Sequence, residues 1–380
     1  MERKRVPLGN YITEYSVRNR SGEDIPVYSV TNSQGFCTEY FDKEVASKDK
    51  TTYKIVPRGY FAYNPSRINV GSVDWQRCEG RVIVSPLYNV FSVSEKMEQQ
   101  YLFYFLKSNV GRQMIKAKAS GSVRDNLKMD MLKEMTIPER TIEEQKKCVA
   151  TLDALKTIIS LWEKELEKLD ELIKARFVEM FGTLDNPSQE FAKATLKELC
   201  NKITDGKHGG CKAEEGTERY FVGAREIYDD EVHYNTAPEI NIDEFEKDYK
   251  RCNIEIGDFL IVNTGATIGK SAIATDERTE HTLLQKSVAL LKVKKEVLNP
   301  VFLKWCYRVN TQMYIVKSAS AQPNLLLSKI NATVIYVPNI ELQNQFVSFV
   351  EQVDKSKVAV QKALEESQLL FDSLMQEYFG

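Results

Sequence analysis

The feature that most constrains the fold is a long heptad pattern that occurs twice. After Thr141 the chain has no Gly or Pro until Gly182. Its apolar residues alternate in steps of three and four, at Leu152, Leu155, Ile159, Trp162, Leu166, Leu169 and Ile173. A mean spacing of 3.5 residues is that of a coiled-coil seam. The pattern therefore predicts one long helix that packs against a partner helix.

A second copy of the pattern fills the last 40 residues. One register of the same steps contains Phe346, Val350, Val353, Val360, Leu364, Phe371, Leu374 and Tyr378, interrupted only by Lys357 and Ser367. Each copy follows a Pro, with a Gln seven residues later (Gln145 and Gln345), and each ends in Phe-Gly. Two such copies indicate a tandem duplication, in which Gln145 and Gln345 are the matching residues.

The blocks ahead of the two helices also share one plan. Matching positions recur in the same order: Gly59, Phe61, Gly71, Ser120 and Asn126-Leu127 in the first block, and Gly257, Phe259, Gly269, Ser318 and Asn324-Leu325 in the second. In the first block, turn residues separate short strands predicted at 27–30, 53–56, 59–64 and 81–84. Helices are predicted at 97–118 and 126–134. Both blocks are expected to be mixed α/β domains.

The predicted fold class is α+β, with two similar mixed α/β domains in tandem, each followed by a long helix. The domains are 1–138 and 183–337, the latter including a linker, and the helices are 139–182 and 338–380. Equivalent helices related by a pseudo-twofold axis run antiparallel, so we expect an antiparallel coiled coil.

The net charge of −2 conceals an uneven distribution. Residues 1–138 contain 21 Lys and Arg against 15 Asp and Glu, a net charge of +6, whereas 338–380 contain 3 against 7. A basic first domain permits nucleic-acid binding without demonstrating it. The apolar runs are too short for a bilayer, no secretory signal is visible, and the seven Cys form no CxxC pair. We therefore expect free thiols and a cytoplasmic protein.

Two local motifs approximate known chemical sites. The segment from Gly265 to Ser271 is one residue short of a phosphate-binding P-loop and precedes a strand-like segment, so we expect a strand-turn-strand instead. Asn64-Pro65-Ser66-Arg67 resembles the Asn-Pro-Pro-Tyr motif of adenine methyltransferases, but it lacks the second Pro and the aromatic residue. It reads either as a turn that closes a strand or as a DNA-facing loop.

The Gly-rich loop from Asp205 to Gly210 also leaves two interpretations open. With Cys200 or Cys211 it could hold a metal ion, although the spacing fits no standard ligand set. Alternatively it is a solvated loop. No Ser-His-Asp arrangement and no nuclease-type carboxylate cluster stands out in the sequence.

Taken together, these motifs resemble the specificity subunits of type I restriction-modification systems. The resemblance rests on the tandem plan, the Pro-to-Gln spacing, the Phe-Gly ends and the segments 59–71, 203–208 and 257–269. It implies two target-recognition domains that each read one half of a bipartite DNA site. It also implies that the long helices set the spacer and dock two methyltransferase subunits, to which restriction subunits are added.

The same resemblance implies a chain that has no catalytic centre and no cofactor of its own. S-adenosylmethionine and ATP are then expected on the partner subunits. The second domain departs from the family's more usual polar-Ser-Gly turn by having Asn263-Thr264-Gly265, and its Asp205–His208 loop has no counterpart in the first domain. We therefore expect the two domains to read different half-sites.

The residues predicted to contact DNA are polar side chains of the loops described above. In the first domain they are Tyr63, Asn64, Ser66, Arg67, Arg124 and Asn126. In the second domain they are Lys207, His208, Asn263, Thr264, Thr267, Lys270, Gln322 and Asn324. Two alternatives remain open: a DNA-recognition subunit of a related restriction-methylation system, or a diverged DNA methyltransferase or nuclease that uses Asn64-Pro65 or Lys270.

Overall fold

The computed structural model describes residues 3–38, 49–119, 126–310 and 325–380. Three predicted DNA contacts, Arg124, Gln322 and Asn324, lie outside the described residues. The chain forms two compact units, one of Met1–Lys164 with Gln361–Gly380 and the other of Glu165–Val360. Each unit therefore contains the start of one long helix and the end of the other.

The first unit begins with the elements of the first repeat. Its strands are Arg5–Pro7 (β1), Ile12–Glu14 (β2), Ser29–Thr31 (β3), Gly35–Cys37 (β4), Lys54–Pro57 (β5), Phe61–Tyr63 (β6), Val73–Trp75 (β7), Arg81–Val84 (β8), Asn89–Val93 (β9) and Thr136–Pro138 (β10). Its helices are Gln99–Lys107 (α1), Asn109–Ala119 (α2), Met129–Lys133 (α3) and the start of the first long helix, Ile142–Phe181 (α4), with 3-10 turns at Leu8–Asn10 and Ile68–Val70.

The second unit follows the same order. Its strands are Ala192–Thr195 (β11), Cys200–Asp205 (β12), Tyr220–Val222 (β13), Ile227–Tyr228 (β14), Glu231–Val232 (β15), Phe259–Val262 (β16), Ser271–Ile273 (β17), Thr282–Leu284 (β18), Val288–Val293 (β19) and Val334–Val337 (β20). Its helices are Leu196–Leu199 (α5), Ile242–Tyr249 (α6), Pro300–Val309 (α7), Leu327–Ala332 (α8) and the start of the second long helix, Ile340–Phe379 (α9), with 3-10 turns at Tyr234–Thr236 and Glu277–His281.

A four-stranded antiparallel sheet forms the centre of each unit. The strand order is β2-β9-β6-β7 in the first unit and β12-β19-β16-β17 in the second, so the order is the same in both repeats. In the first unit, the rings of Phe61 and Phe91 stack across neighbouring strands with their centroids 4.9 Å apart. Their buried face packs on α1 and α3 within one hydrophobic cluster. This topology confirms the predicted fold class of two tandem mixed α/β domains.

The single helix predicted at 97–118 is wrong, because the chain breaks at Ser108 between α1 and α2. The Ser108 hydroxyl donates to the carbonyl of Phe105 at 2.7 Å and accepts the amide of Gly111 at 3.0 Å. It thus ends one helix and caps the next. A Cβ at position 111 would lie 2.0 Å from the Phe105 carbonyl oxygen, so only glycine fits this close approach.

The long helices α4 and α9 each contain 40 residues and begin 198 positions apart. In the second unit, Phe177 near the end of α4 contacts Phe346 near the start of α9, with ring centroids 5.2 Å apart. In the first unit, Phe371 and Leu374 of α9 pack against the cluster that contains Leu152 of α4. The start of each helix thus meets the end of the other, which confirms an antiparallel pair. All predicted seam positions are buried or half-buried.

A buried glutamine fixes the start of each long helix to its own domain. The Gln145 side-chain oxygen accepts the backbone amide of Glu98 at 2.9 Å, and its amide donates to the carbonyls of Lys96 and Arg140, both at 3.0 Å. Glu98 is the N-cap of α1. The glutamine therefore links α4, the domain helix and the loop that precedes that helix.

Gln343 repeats this arrangement in the second unit. Its oxygen accepts the amide of Asn299 at 2.9 Å, and its amide donates to Val297 at 3.0 Å and to Pro338 at 2.8 Å. Gln345 is exposed, so the predicted equivalence of Gln145 with Gln345 is wrong. The repeats are 198 positions apart, so Pro338 corresponds to Arg140 and not to Pro138. A count made from the prolines is therefore displaced by two residues.

The end of each long helix is anchored to the domain of its unit. In the first unit, the Arg5 guanidinium donates to the carbonyls of Phe379 at 2.9 Å and Gly380 at 3.0 Å. In the second unit, the Tyr336 hydroxyl donates to the carbonyl of Gly182 at 3.1 Å. Both contacts satisfy carbonyls that a helix end leaves unpaired, and the Arg5 cation also complements the helix dipole.

Candidate nucleic-acid interface

In the first unit, a polar loop follows the central strand β6. The Asn64 side-chain oxygen accepts the backbone amide of Ser66 at 3.1 Å and its hydroxyl at 2.9 Å, which forms an Asx turn. The amide of Leu127 donates to the carbonyl of Pro65 at 3.1 Å, which brings Asn126 to the same loop. Four predicted contacts, Asn64, Ser66, Arg67 and Asn126, therefore lie together, and all but the half-buried Asn64 are exposed.

Tyr63 does not share this surface. Its ring is fully buried, and its hydroxyl donates to the carbonyl of Leu127 at 3.1 Å and accepts the Asn89 side-chain amide at 2.9 Å. Burial also raises the pKa of Tyr63 above its usual value. Tyr63 thus supports the loop from the core and presents no surface to a ligand, contrary to its predicted role.

Helix α2 adds a polar face beside this loop that the sequence prediction missed. A cavity of about 510 Å³ is lined by Asn69, Asn109, Arg112, Gln113, Lys116, Ala119 and Gln376. Lys116 is exposed and forms no ion pair within the described part of the chain, whereas Lys118 is paired with Glu134 at 2.7 Å. The helical spacing of Arg112 and Lys116, beside the buried stripe of Gly111, Ile115 and Ala119, is the signal that identifies this face in the sequence.

In the second unit, the predicted strand-turn-strand is confirmed. Strands β16 and β17 pair antiparallel on either side of the turn, and a strand follows where a P-loop requires a helix. The carbonyl of Asn263 accepts the amide of Leu325 at 2.8 Å, which is the counterpart of the Pro65–Leu127 bond 198 positions earlier. The Asn263 side chain is buried, while Thr264 and Thr267 are half-buried and Lys270 is exposed.

Lys207 and His208 lie in the loop after β12. The Lys207 ammonium forms ion pairs with Asp248 at 2.7 Å and Glu244 at 3.2 Å, and these carboxylates raise the pKa of Lys207. Its charge is therefore already neutralised by α6. The exposed His208 lies 3.4 Å from the Asp205 carboxylate. Within the ranges that the structure describes, no group of His, Cys, Asp and Glu side chains is arranged to hold a metal ion, so the metal interpretation of this loop gains no support.

Arg225, Gln285 and Lys286 are three further polar residues at the same edge of the second sheet. A cavity of about 520 Å³ is lined by Ala224, Arg225, Glu226, Thr236, Pro238, Gln285 and Ser287. The amide of Asn263 donates to the carbonyl of Ser287 at 2.9 Å, and the Ser287 hydroxyl accepts the Ala224 amide at 3.2 Å, so the cavity adjoins the β16–β17 turn. Arg225 and Lys286 are exposed and unpaired among the described residues. No local sequence signal identifies them, since the fold alone unites positions 225, 263 and 286.

Each unit therefore presents hydroxyl, amide and cationic side chains at the corresponding end of its central sheet. Cations of this kind contact phosphates, and amides and hydroxyls can hydrogen-bond to base edges. Two such domains, each continued by a long helix of an antiparallel pair, make a tandem-domain protein whose exposed loops have the chemistry of a DNA-recognition surface. The described residues also include no helix with the length and apolar character of a membrane span.

Comparison with known proteins identifies the family. The family described as type I restriction modification DNA specificity domain matches residues 8–171 and again 188–367. The chain belongs to this family and contains its domain twice. It is 22% identical to the type I restriction enzyme EcoBI specificity subunit of Escherichia coli, over 93% of this chain and 84% of that protein.

Two solved structures share the fold. One is a chain from a type I restriction-modification system studied for complex assembly and conformational transition, with a TM-score of 0.64, 16% identity and coverage of 99% of this chain and 97% of that chain. The other is the crystal structure of the S subunit of the M. genitalium system, with a TM-score of 0.53, 16% identity and coverage of 100% and 96%. The family match shows that the chain is a type I DNA specificity subunit, and the two solved structures show that it shares their fold.

Proposed function

We propose that each repeat of this specificity subunit reads one half of a bipartite DNA site. The observation that carries the proposal is the recurrence of one loop geometry with different side chains. The Leu127 amide bonds to the Pro65 carbonyl, and 198 positions later the Leu325 amide bonds to the Asn263 carbonyl. The same scaffold thus presents two different polar surfaces, which suits two different half-sites.

In the first unit, we assign the DNA surface to the β6 loop and the polar face of α2. Arg67 and Lys116 would contact phosphates, and Asn64 and Asn126 carry amides that suit an adenine edge in the major groove. In the second unit, the exposed cations Arg225, Lys270 and Lys286 would position the duplex. Thr264, Thr267 and Gln285 are then the candidates for base contacts, along with His208.

The long helices are proposed to set the spacer between half-sites and to dock two methyltransferase subunits. Apolar side chains that remain exposed on these helices support the docking role. They are Ile158, Leu161, Leu369 and Leu370 in the first unit, and Leu172, Val178 and Val358 in the second. Leu369 and Leu370 are adjacent and both exposed, and contiguous exposed apolar surface marks protein interaction sites.

Catalysis is assigned to the partners. The chain would bind no cofactor, S-adenosylmethionine would be bound by the methyltransferase subunits, and ATP by restriction subunits where these are present. Methyl transfer to duplex DNA, measured with and without a type I methyltransferase subunit, tests the assignment. We expect transfer only with that subunit. Transfer by the purified chain alone would favour the diverged methyltransferase instead.

A further inference from the structure

Each unit contains a cleft beside the long helices, lined by α1 in the first unit and by its counterpart α7 in the second, and the two clefts are equivalent. Their volumes are about 420 Å³ in the first unit and about 450 Å³ in the second. Lys107 of α1 and Arg308 of α7 line them, and each lies nine residues after the N-cap of its helix. Tyr104 and Trp305 also correspond, since each lies six residues after the N-cap of its helix. The two clefts can therefore be compared residue by residue.

In the second unit, the cleft is neutralised by the chain itself. The two-residue turn between β14 and β15 consists of Asp229 and Asp230, both in the left-handed region with φ of 50° and 62°. The Asp230 carboxylate forms ion pairs with Arg308 at 2.6 Å and Lys304 at 3.5 Å. The third cation, Lys357, is paired with Asp170 and with Asp354. Every cation of this cleft thus has a carboxylate partner.

In the first unit, the corresponding hairpin supplies no carboxylate. The turn between β3 and β4 is Asn32-Ser33-Gln34, which is uncharged. Lys107, the counterpart of Arg308, donates instead to the Asn32 carbonyl at 3.2 Å and to the carbonyl of Gly71. The hairpin therefore contacts the same position of the domain helix but supplies no carboxylate to it, and the Asp74 carboxylate acts on Lys107 without forming an ion pair.

Two more cations line the first cleft without ion pairs in the described part of the chain. They are Arg112 and Lys156, and the Lys156 ammonium lies 5.1 Å from the ring centre of Tyr104 and 6.0 Å from that of Phe103. Among the described lining residues the one acidic side chain is Asp372, while Asp153 and Asp74 act on Lys156 from outside the lining. Burial lowers the pKa of both Lys107 and Lys156, which reflects the cost of desolvating a cation. A carboxylate that entered the cleft would offset this cost.

We propose that the first-unit cleft binds an acidic turn of a partner protein, whose carboxylate takes the place that Asp230 has in the second unit. The apolar part of the lining, Phe103, Phe371 and Met375, suits the side chains of a peptide turn better than a nucleic-acid backbone. This site goes beyond DNA recognition, and it does not depend on which bases the chain reads.

A peptide titration tests the site directly. The probe is a cyclised peptide of residues 227–232 of this chain, Ile-Tyr-Asp-Asp-Glu-Val, labelled for fluorescence anisotropy and titrated with the full chain. We expect saturable binding that weakens by about tenfold or more when both Asp are replaced by Asn in the peptide, because charge-assisted contacts are lost. The variant Lys156→Gln should also weaken peptide binding, since Lys156 lines this cleft but not the α2 cavity assigned to DNA.

Lys118→Gln is the matched control, since Lys118 is a partly exposed lysine of the same unit that lies outside the cleft lining and is paired with Glu134. The affinity of the Lys118→Gln variant for the peptide should be unchanged. Absence of saturable binding, or equal affinity for the Asp and Asn peptides, would overturn the proposal. A random-sequence DNA duplex forms a further arm. If Lys156→Gln weakens duplex binding but leaves peptide binding intact, the cleft serves phosphates and the proposal is wrong.

Discussion

Gln145 and Gln343, 198 positions apart, make the same three kinds of hydrogen bond in the two repeats. Each accepts the amide of the N-cap of a domain helix, and each donates to two backbone carbonyls at the start of its long helix and in the loop before the domain helix. The duplication is therefore expressed in individual bonds as well as in the hydrophobic pattern. These bonds fix the position of each long helix relative to its own domain.

Gln145→Ala and Gln343→Ala should each lower the free energy of unfolding of the unit concerned by about 2–4 kcal/mol. The physical reason is that truncation leaves buried backbone groups unpaired, at roughly 1–3 kcal/mol each. Urea unfolding followed by circular dichroism measures the effect. Gln345→Ala is the control, because this exposed residue should change the free energy by less than about 0.5 kcal/mol. Equal losses for Gln343→Ala and Gln345→Ala would contradict the register described above.

Much of this arrangement was accessible from the sequence. The heptad pattern predicted both long helices, and the tandem duplication predicted their antiparallel packing. The strand-like segment after Lys270 predicted the strand-turn-strand at Asn263. The prediction that Gln345 matches Gln145 was wrong because it was counted from the prolines. The proline of the second repeat is displaced by two residues, whereas the hydrogen bonds follow the register of the long helix. The break at Ser108 was missed because its cause is a close backbone contact at Gly111 rather than a proline.

The candidate site was less predictable, because the partners of its side chains are distant in the sequence. Tyr63 has a polar tip, and only the fold reveals that Leu127 and Asn89 satisfy its hydroxyl inside the core. Lys207 appears free in the sequence, but α6 supplies its carboxylate partners about 40 positions later. The exposed cations near the β16–β17 turn, such as Arg225, likewise lie there only because of the tertiary structure.

In the second unit, Lys270→Ala and Arg225→Ala should weaken DNA binding. A cation that contacts a phosphate releases about one counterion, so each variant should reduce the slope of log affinity against log salt by about one. Fluorescence anisotropy of a labelled cognate duplex at several salt concentrations measures this slope. Lys207→Gln should leave the slope unchanged, since Glu244 and Asp248 already neutralise that charge. A flattened slope for Lys207→Gln would contradict the assignment.

In the first unit, the same titration distinguishes two lysines of one helix. Lys116→Gln should reduce the salt slope by about one, because this exposed ammonium has no ion pair among the described residues. Lys118→Gln should have little effect, because its charge is paired with Glu134. If the two variants behave alike, the polar face of α2 is not part of the DNA surface.

The acid stability of the second unit should depend on Glu244. Because Lys207 donates to its carboxylate, the pKa of Glu244 lies below its ordinary value of 4.5. A carboxyl with a depressed pKa stabilises the fold above its ordinary pKa, and this contribution is lost as the pH falls through the folded-state value. Glu244→Gln should therefore flatten the loss of stability below about pH 4.5, measured by urea unfolding at stepped pH. An unchanged pH profile would show that the ion pair does not contribute.

The docking role of the long helices is tested at Leu369, whose side chain is 72% exposed on α9. Leu369→Asp should abolish co-purification with the methyltransferase subunit while leaving the unfolding midpoint of the chain unchanged, because the residue contributes little to the core. Leu369→Met, which keeps an apolar side chain of similar volume, is the control and should retain the partner. Retention of the partner by Leu369→Asp would place docking elsewhere.

The most direct measurement is the methylated DNA motif itself. The chain is co-expressed with its methyltransferase subunit, and methylated bases are mapped across the host genome. We expect one bipartite motif with a fixed spacer. Replacing residues 191–337 with the corresponding segment of another family member should change one half of the motif and preserve the other half and the spacer. Changes in both halves, or a motif without two separated parts, would contradict the assignment of one half-site to each repeat.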